Sequence, residues 1–189
     1  GWLVPAKGVH VLIDAFERTT HQVSDIRLEI IGDSDDEEYK AELHNVVRWQ
    51  KLENRVTFHG WRDDVLDALD LADIYVLPSF TEGVPRSIVE AMALGKPVIA
   101  TDVGGVPELL EGGELGMITT ANDSTALANA MYEMAADKSR RDAFTERGLA
   151  VSRAKYAFEE HHRALEKLLD DIAPGATAAP QAACGKASA

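Results

Sequence analysis

Apolar residues recur along the chain in two alternating rhythms. Val9, Leu12, Ile13 and Phe16 repeat at the three- and four-residue spacing that lines one face of a helix. The next apolar run, Ile26–Ile31, is short and rich in β-branched residues and ends at Gly32, which reads as a buried strand. The alternation then continues. Glu37–Lys51 reads as a helix and Arg55–Phe58 as a strand, and Val65, Leu66, Leu69 and Ala72 mark another helical face. Asp73–Leu77 is a strand stopped by Pro78, and Arg86–Leu94 a helix stopped by Gly95. Pro97–Thr101 is a strand, Val106–Leu110 a short helix and Leu115–Thr119 the last strand. Leu127, Met131 and Met134 share a helical face, Ser139–Val151 forms a further helix, and Phe158, Leu165, Leu168 and Ile172 mark a final one.

Strands that alternate with helices over short loops predict a parallel sheet covered on both faces. The expected fold is one doubly wound, Rossmann-like α/β domain over residues 1–172. Such sheets take ligands beyond the C-terminal ends of their strands. Residues 173–189 are rich in Ala, Gly, Pro and Ser without apolar period and are expected to form a disordered, low-complexity tail.

Composition narrows the picture. The chain has 189 residues, 46% of them hydrophobic, which is enough for one ordinary core. Its formal charge of −13 argues against nucleic acid and anionic membranes as partners, yet leaves room for a small anion in one local pocket. Cys184 is the single cysteine, so neither an internal disulfide nor a cysteine-based metal site is expected. No apolar run approaches the roughly 20 residues that cross a bilayer, and no signal peptide is evident. A cytoplasmic location is expected, with peripheral membrane contact open to a longer protein. The chain opens with Gly1 in mid-pattern, so a fragment lacking an N-terminal part is expected.

The candidate chemistry lies in the stretch from Tyr75 to Gly105. The loop Ser79–Pro85 follows a strand and precedes a helix, the place where this architecture holds ligands. Gly83 lets a ligand approach the backbone, and Pro85 suits a helix start. The amides near Arg86 and Ser87, with the helix dipole, favour a phosphate. Glu90 shares the helical face of Arg86 and Ser87, at a reach that suits a sugar hydroxyl. Two plainer readings stand beside this one. Ser87-x-x-Glu90 also spells a capping box, and Glu82 also reads as a solvated loop acid.

The segment Glu82–Glu90, two glutamates separated by seven residues and followed by AMALGKPVIATDVGG, resembles the signature of retaining glycosyltransferases of family 4, which have the GT-B fold. LVPAKGVHVLIDAF, LEIIGD, VTFHGWRDD, LADIYVLPSFTEG and ELGMITTANDSTALANAM resemble further segments of that family in the same order. The resemblance covers about Gly1 to Ile172 and implies the C-terminal, donor-nucleotide half of such an enzyme. The acceptor (a sugar, lipid or small molecule) would then meet an N-terminal half.

By resemblance, Lys7 contacts the donor diphosphate and Glu82 lies by the donor sugar at the reacting centre. Gly83, Val84, Arg86 and Ser87 hold phosphate through backbone amides, and Glu90 binds the ribose hydroxyls. Gly60, Trp61 and Arg62 lie beside the base, and Asp33 borders the nucleotide. The implied reaction transfers a sugar from a nucleotide sugar with retention and without metal or other cofactor. Trp2 departs from the pattern, because the family usually has arginine there. Losing that cation is expected to weaken donor binding or leaving-group stabilisation. The alternatives are a nucleotide-sugar epimerase of the same fold, whose known members lack this glutamate pair with the Lys7 loop, and a non-catalytic nucleotide-binding module.

Other candidates carry less. Asp33-x-Asp35 is similar to the metal-binding carboxylate pair of the other glycosyltransferase fold, GT-A, but acids at a helix start are ordinary capping chemistry. His59 is expected to be packed or solvated rather than catalytic. His161 and His162 are adjacent on one helix and point apart. Trp49 and Trp61 read first as packing residues, Trp61 having the better claim to a ligand. The turn Asp102–Gly105 reads equally as donor lining and as a plain left-handed turn.

Overall fold

Four consecutive buried residues mark the centre of the sheet. In the computed structural model, which describes residues 1–156, strand β4 (Val98–Thr101) is buried along its whole length. Its side chains part to opposite sides: Ile99 enters one apolar cluster, Val98 and Ala100 another. A strand with period-two side chains and two apolar faces has to lie between two helical layers. β3 (Tyr75–Leu77) and β5 (Gly116–Thr119) flank β4 in parallel, with Tyr75 and Gly116 both opposite Val98. A second parallel ladder joins β1 (Leu28–Ile30) to β2 (Val56–Phe58).

One face is covered by α1 (Val9–Thr20), α2 (Glu37–Trp49) and α6 (Ser124–Ala136). Ile13, Phe16, Leu43, Leu127 and Met134 from these helices share a cluster with Ile99 of β4, Ile30 of β1 and Val56 of β2. The other face is covered by α3 (Val65–Asp70), α4 (Arg86–Ala93) and α5 (Val106–Leu109), through Leu69, Ile88, Met92 and Val106. The architecture is the doubly wound, Rossmann-like α/β fold that the alternating rhythm predicts. Contacts divide the chain at Ser152, with Gly1–Ser152 as one unit. The expected final helix through Phe158–Ile172, the tail 173–189, His161, His162 and Cys184 lie outside the described residues.

The first residues run between the two ladders. The Gly1 amine donates to the Ile31 carbonyl at 2.9 Å, and the Leu3 amide to the Asp33 carbonyl at 2.7 Å. A one-turn 3-10 helix, Pro5–Lys7, follows. The Ala6 carbonyl accepts the Phe80 amide at 2.8 Å, which ties this turn to the loop after β3. Gly8 then starts α1 with φ of 65°, where an added Cβ would sit 2.1 Å from the Pro78 carbonyl oxygen. Only glycine permits this approach.

Element boundaries differ from expectation by a few residues. α2 ends at Trp49 rather than Lys51, because Lys51 turns left-handed at φ of 57° and closes the helix. The last described helix, α7 (Lys138–Lys155), begins one residue early and runs four past Val151. Asp137 accounts for the start, since its carboxylate accepts the Arg140 amide at 3.0 Å as a cap.

Ile99→Ala is expected to lower the unfolding free energy by about 2–5 kcal/mol, the usual range for emptying a buried aliphatic site, as read by urea unfolding. Gly8→Ala is expected to cost at least about 1 kcal/mol in the same measurement, because its backbone conformation disfavours any Cβ and the Pro78 carbonyl leaves no space for one.

Candidate functional site

The loops after the strands converge with the Pro5–Lys7 turn. Lys7 Nζ lies 2.7 Å from Glu82 Oε1, joining positions 75 residues apart. The Glu82 side chain is 10% exposed and that of Lys7 36%, so the carboxylate is set into the wall while the ammonium faces outward. Glu82 Oε1 also accepts the Ser79 hydroxyl at 2.6 Å. An ammonium has three N–H donors, and Lys7 makes no other ion pair among the described residues.

Gly83 and Val84 follow, both exposed, with open space where a Gly83 side chain would be. α4 then starts with Pro85 as its N-cap at φ −74°, ψ 103°, and no side chain caps it. The capping-box reading of Ser87-x-x-Glu90 is thereby corrected. Pro85 holds the cap position and Ser87 falls inside the first turn. The first amides of α4 have no intrahelical acceptors. Burial pushes the Tyr75 phenol up to about 12, the Ser87 side chain opposes this, and the charges of Glu82 and Glu90 add to it. One phenol therefore feels the charge of both glutamates.

The turn after β4 supports this loop. Gly104 is left-handed at φ 54°, and an added Cβ would lie 2.0 Å from the Glu82 carbonyl oxygen. The Gly105 amide donates to the Gly83 carbonyl at 2.7 Å. The Asp102–Gly105 segment is thus a left-handed turn that also carries the backbone of Glu82 and Gly83.

A second group gathers where β1 and β2 end. Gly32 and Gly60 form an antiparallel bridge, the Gly32 amide donating to the Gly60 carbonyl at 2.9 Å. Beside it lies a cavity of about 200 Å³ lined by Leu3, Asp33, Lys40, Leu43, Phe58 and Gly60 among others. Trp61 and Trp2 are 65% and 53% exposed, with ring centroids 6.4 Å apart. Arg62 is engaged by Asp64 through two bonds of 2.8 and 2.6 Å, which holds the Asp64 carboxyl below its ordinary value and the guanidinium above its own.

Asp33 meets Lys40 at 3.0 Å and accepts the Ser34 amide at 2.8 Å. The Lys40 bond first, and the Ser34 amide second, hold its carboxyl below the usual range. Asp36 caps α2 through the Tyr39 amide at 2.9 Å. The acidic run after β1 is thus occupied by capping and pairing, and among the described residues no three metal-type side chains gather. His59 pairs with Glu29 at 2.6 Å. The packing reading of Trp49 is corrected: it ends α2 82% exposed, because the buried stripe of that helix runs through Tyr39, Leu43 and Val47.

The structure therefore joins Lys7 to Glu82 and carries Ser87 and Glu90 on the helix that follows the same loop. It gathers Asp33, Gly60 and Trp61 around the second group, and Trp2 and Leu3 lead from there towards Lys7. Sequence reading missed Ser79, Thr101 and Lys40. Ser79 had one weak signal, a small polar residue three positions before Glu82 at a strand end, and Lys40 had none. No described helix is long and apolar enough to cross a membrane.

Residues 1–137 match the sequence model of the family described as glycosyl transferases group 1. The putative colanic acid biosynthesis glycosyltransferase WcaL of Salmonella typhimurium is 33% identical over 179 residues, 90% of this chain and 42% of that protein. The phosphatidyl-myo-inositol mannosyltransferase of Mycobacterium leprae is 33% identical over 150 residues, 78% of this chain and 37% of that protein. Among solved structures, Anabaena Alr3699/HepE in complex with UDP and glucose superposes with a TM-score of 0.84 at 32% identity, covering 90% of this chain and 47% of that one. A C-terminal domain of a glycosyl transferase group 1 family protein from Francisella tularensis superposes with a TM-score of 0.78 at 26% identity, covering 84% of both chains. The chain spans less than half the length of the curated relatives cited. It belongs to the glycosyl transferases of group 1, with a doubly wound α/β fold of the GT-B kind.

Proposed function

We propose that this chain is the C-terminal, donor-binding half of a retaining, metal-independent glycosyltransferase that takes its sugar from a nucleotide sugar. The observation that carries this reading is the Lys7–Glu82 pair at 2.7 Å beside the uncapped start of α4. Glycosyl transfer builds positive charge at the anomeric carbon and negative charge on the departing diphosphate. Lys7 and the amides of Gly83, Val84, Arg86 and Ser87 are suited to the second charge, and Glu82 to the sugar next to it. An exposed arginine at a helix start is electrostatically unfavourable by itself. Arg86 stands there with no ion pair among the described residues, which makes sense where an anion joins it.

Glu90, one turn further on, suits the ribose hydroxyls. The glycine pair Gly32 and Gly60, with Asp33, Trp61 and Arg62 beside them, suits the base. UDP is the favoured nucleotide, because the Anabaena relative has been crystallised with UDP and with UDP-glucose. A hexose is the matching sugar. The acceptor belongs to a partner half, so the chain alone is expected to bind donor and transfer almost nothing.

Calorimetric titration with UDP, GDP and ADP tests the reading. UDP is expected to bind, and no uptake of any of the three overturns it. Glu90→Ala is expected to weaken nucleotide binding about tenfold, the worth of one bond to a charged group. Glu82→Ala in a two-domain enzyme is expected to lower kcat about 100-fold, with a smaller change in KM. A loss of affinity with unchanged kcat contradicts the role given to Glu82.

A further inference from the structure

Glu82 is fastened unevenly. Both of its hydrogen bonds, from Lys7 at 2.7 Å and from Ser79 at 2.6 Å, converge on Oε1, and Oε2 has no partner among the described residues. The two fasteners differ in kind. Lys7 is a flexible ammonium, 36% exposed along its side chain, with donors to spare. Ser79 is fully buried and has one hydroxyl proton, which it gives to Glu82. A short O–H···O⁻ bond of this length belongs to the strong, charge-assisted class.

Ser79 is itself held from the sheet. Its carbonyl accepts the Thr101 hydroxyl at 2.5 Å, and Thr101, 2% exposed, ends the central strand. The next amide, that of Phe80, is fixed to Ala6 at 2.8 Å. From the other side, Gly104 lies so close to the Glu82 carbonyl that no Cβ fits between them. The hydroxyl thus forms the last link in a chain from the middle of the sheet to one carboxylate oxygen.

This matters once an anion arrives. If the proposed donor reading holds, a diphosphate competes with Glu82 for the Lys7 ammonium. Were Lys7 the sole fastener, a carboxylate nine-tenths inside the wall would lose its orientation at the moment the sugar is bound. We propose that Ser79 is a positioning residue, anchored by Thr101, that keeps Glu82 Oε1 fixed while Lys7 turns to the donor phosphates, so that Oε2 stays aimed at a hydroxyl of the sugar.

The test measures affinities for UDP and for UDP-glucose in the wild type, Ser79→Ala, Ser79→Cys, Glu82→Gln and the Ser79→Ala/Glu82→Gln double variant. The readout is the preference for the sugar-bearing ligand, Kd(UDP) divided by Kd(UDP-glucose). Ser79→Ala is expected to lower this preference about tenfold, in proportion to a lost bond to a charged group. Ser79→Cys is expected to lower it less, as a weaker donor of similar shape. The double variant is expected to be no worse than Glu82→Gln alone, because one residue acts through the other. Effects that multiply, or an unchanged preference in Ser79→Ala, overturn the role of Ser79 while leaving the donor reading intact. A wild type that takes up neither ligand overturns the donor reading and this role with it. Urea unfolding of the same single and double variants reads the contact without ligand: coupled losses support it and additive losses overturn it.

Discussion

The ion pair between Lys7 and Glu82 closes the site, and much of the surrounding structure exists to allow it. The two residues come from opposite ends of a 75-residue separation, so the loop after β3 and the turn before α1 have to meet. They meet because Gly8 admits the Pro78 carbonyl at a distance no side chain tolerates, and because Phe80 bonds the turn directly. The same loop is carried from below by Gly104 and Gly105. The ends of β3 and β4 and the turn before α1 are thereby coupled, in part through close backbone approaches that depend on missing Cβ atoms. Backbone held this way is preorganised, which is what electrostatic stabilisation of a charged transition state requires.

The sheet explains why these loops share one edge. β3, β4 and β5 run parallel in one sheet and β1 and β2 in another, so the segments after β3 and β4 leave the same edge of theirs. The Val98 register, with Tyr75 on one side and Gly116 on the other, fixes how far each strand projects. Thr101 sits at the end of the central strand and reaches the Ser79 carbonyl across the ladder. A one-residue slip would carry Thr101 to the opposite face and cut that link. Core packing and site geometry therefore rest on the same register.

These dependencies also explain what was legible beforehand. The alternation of helices and strands was readable because burial on both faces writes continuous apolar runs for β4 and three-four spacing for α1 and α6. Glu82, Gly83 and Glu90 were readable because they lie within one local strand–loop–helix segment. Ser79 and Thr101 were not, because their meaning depends on which strand lies beside which, and no local spacing encodes that. The capping box failed for another reason. Ser87-x-x-Glu90 has the right letters, but Pro85 takes the cap position and Ser87 falls one residue into the first turn. Trp49 was misread because a tryptophan at the end of an amphipathic helix passes off its buried stripe.

The charge balance poses the last problem. A chain of formal charge −13 is a poor attractor of phosphate at long range. Salt, however, screens that field beyond about 8–10 Å, so the decision is local. Locally, Glu82 already offsets the Lys7 ammonium, and Trp2 brings no charge. That pair by itself presents no net charge to favour an anion. What remains is Arg86 and the row of first-turn amides at α4, whose partial charges cost nothing to keep and cannot be neutralised by a neighbouring acid without capping the helix. No side chain caps it. In such a site the amides and Arg86 set whether an anion binds, and the Lys7–Glu82 pair sets what the anion's arrival does to the carboxylate beside it.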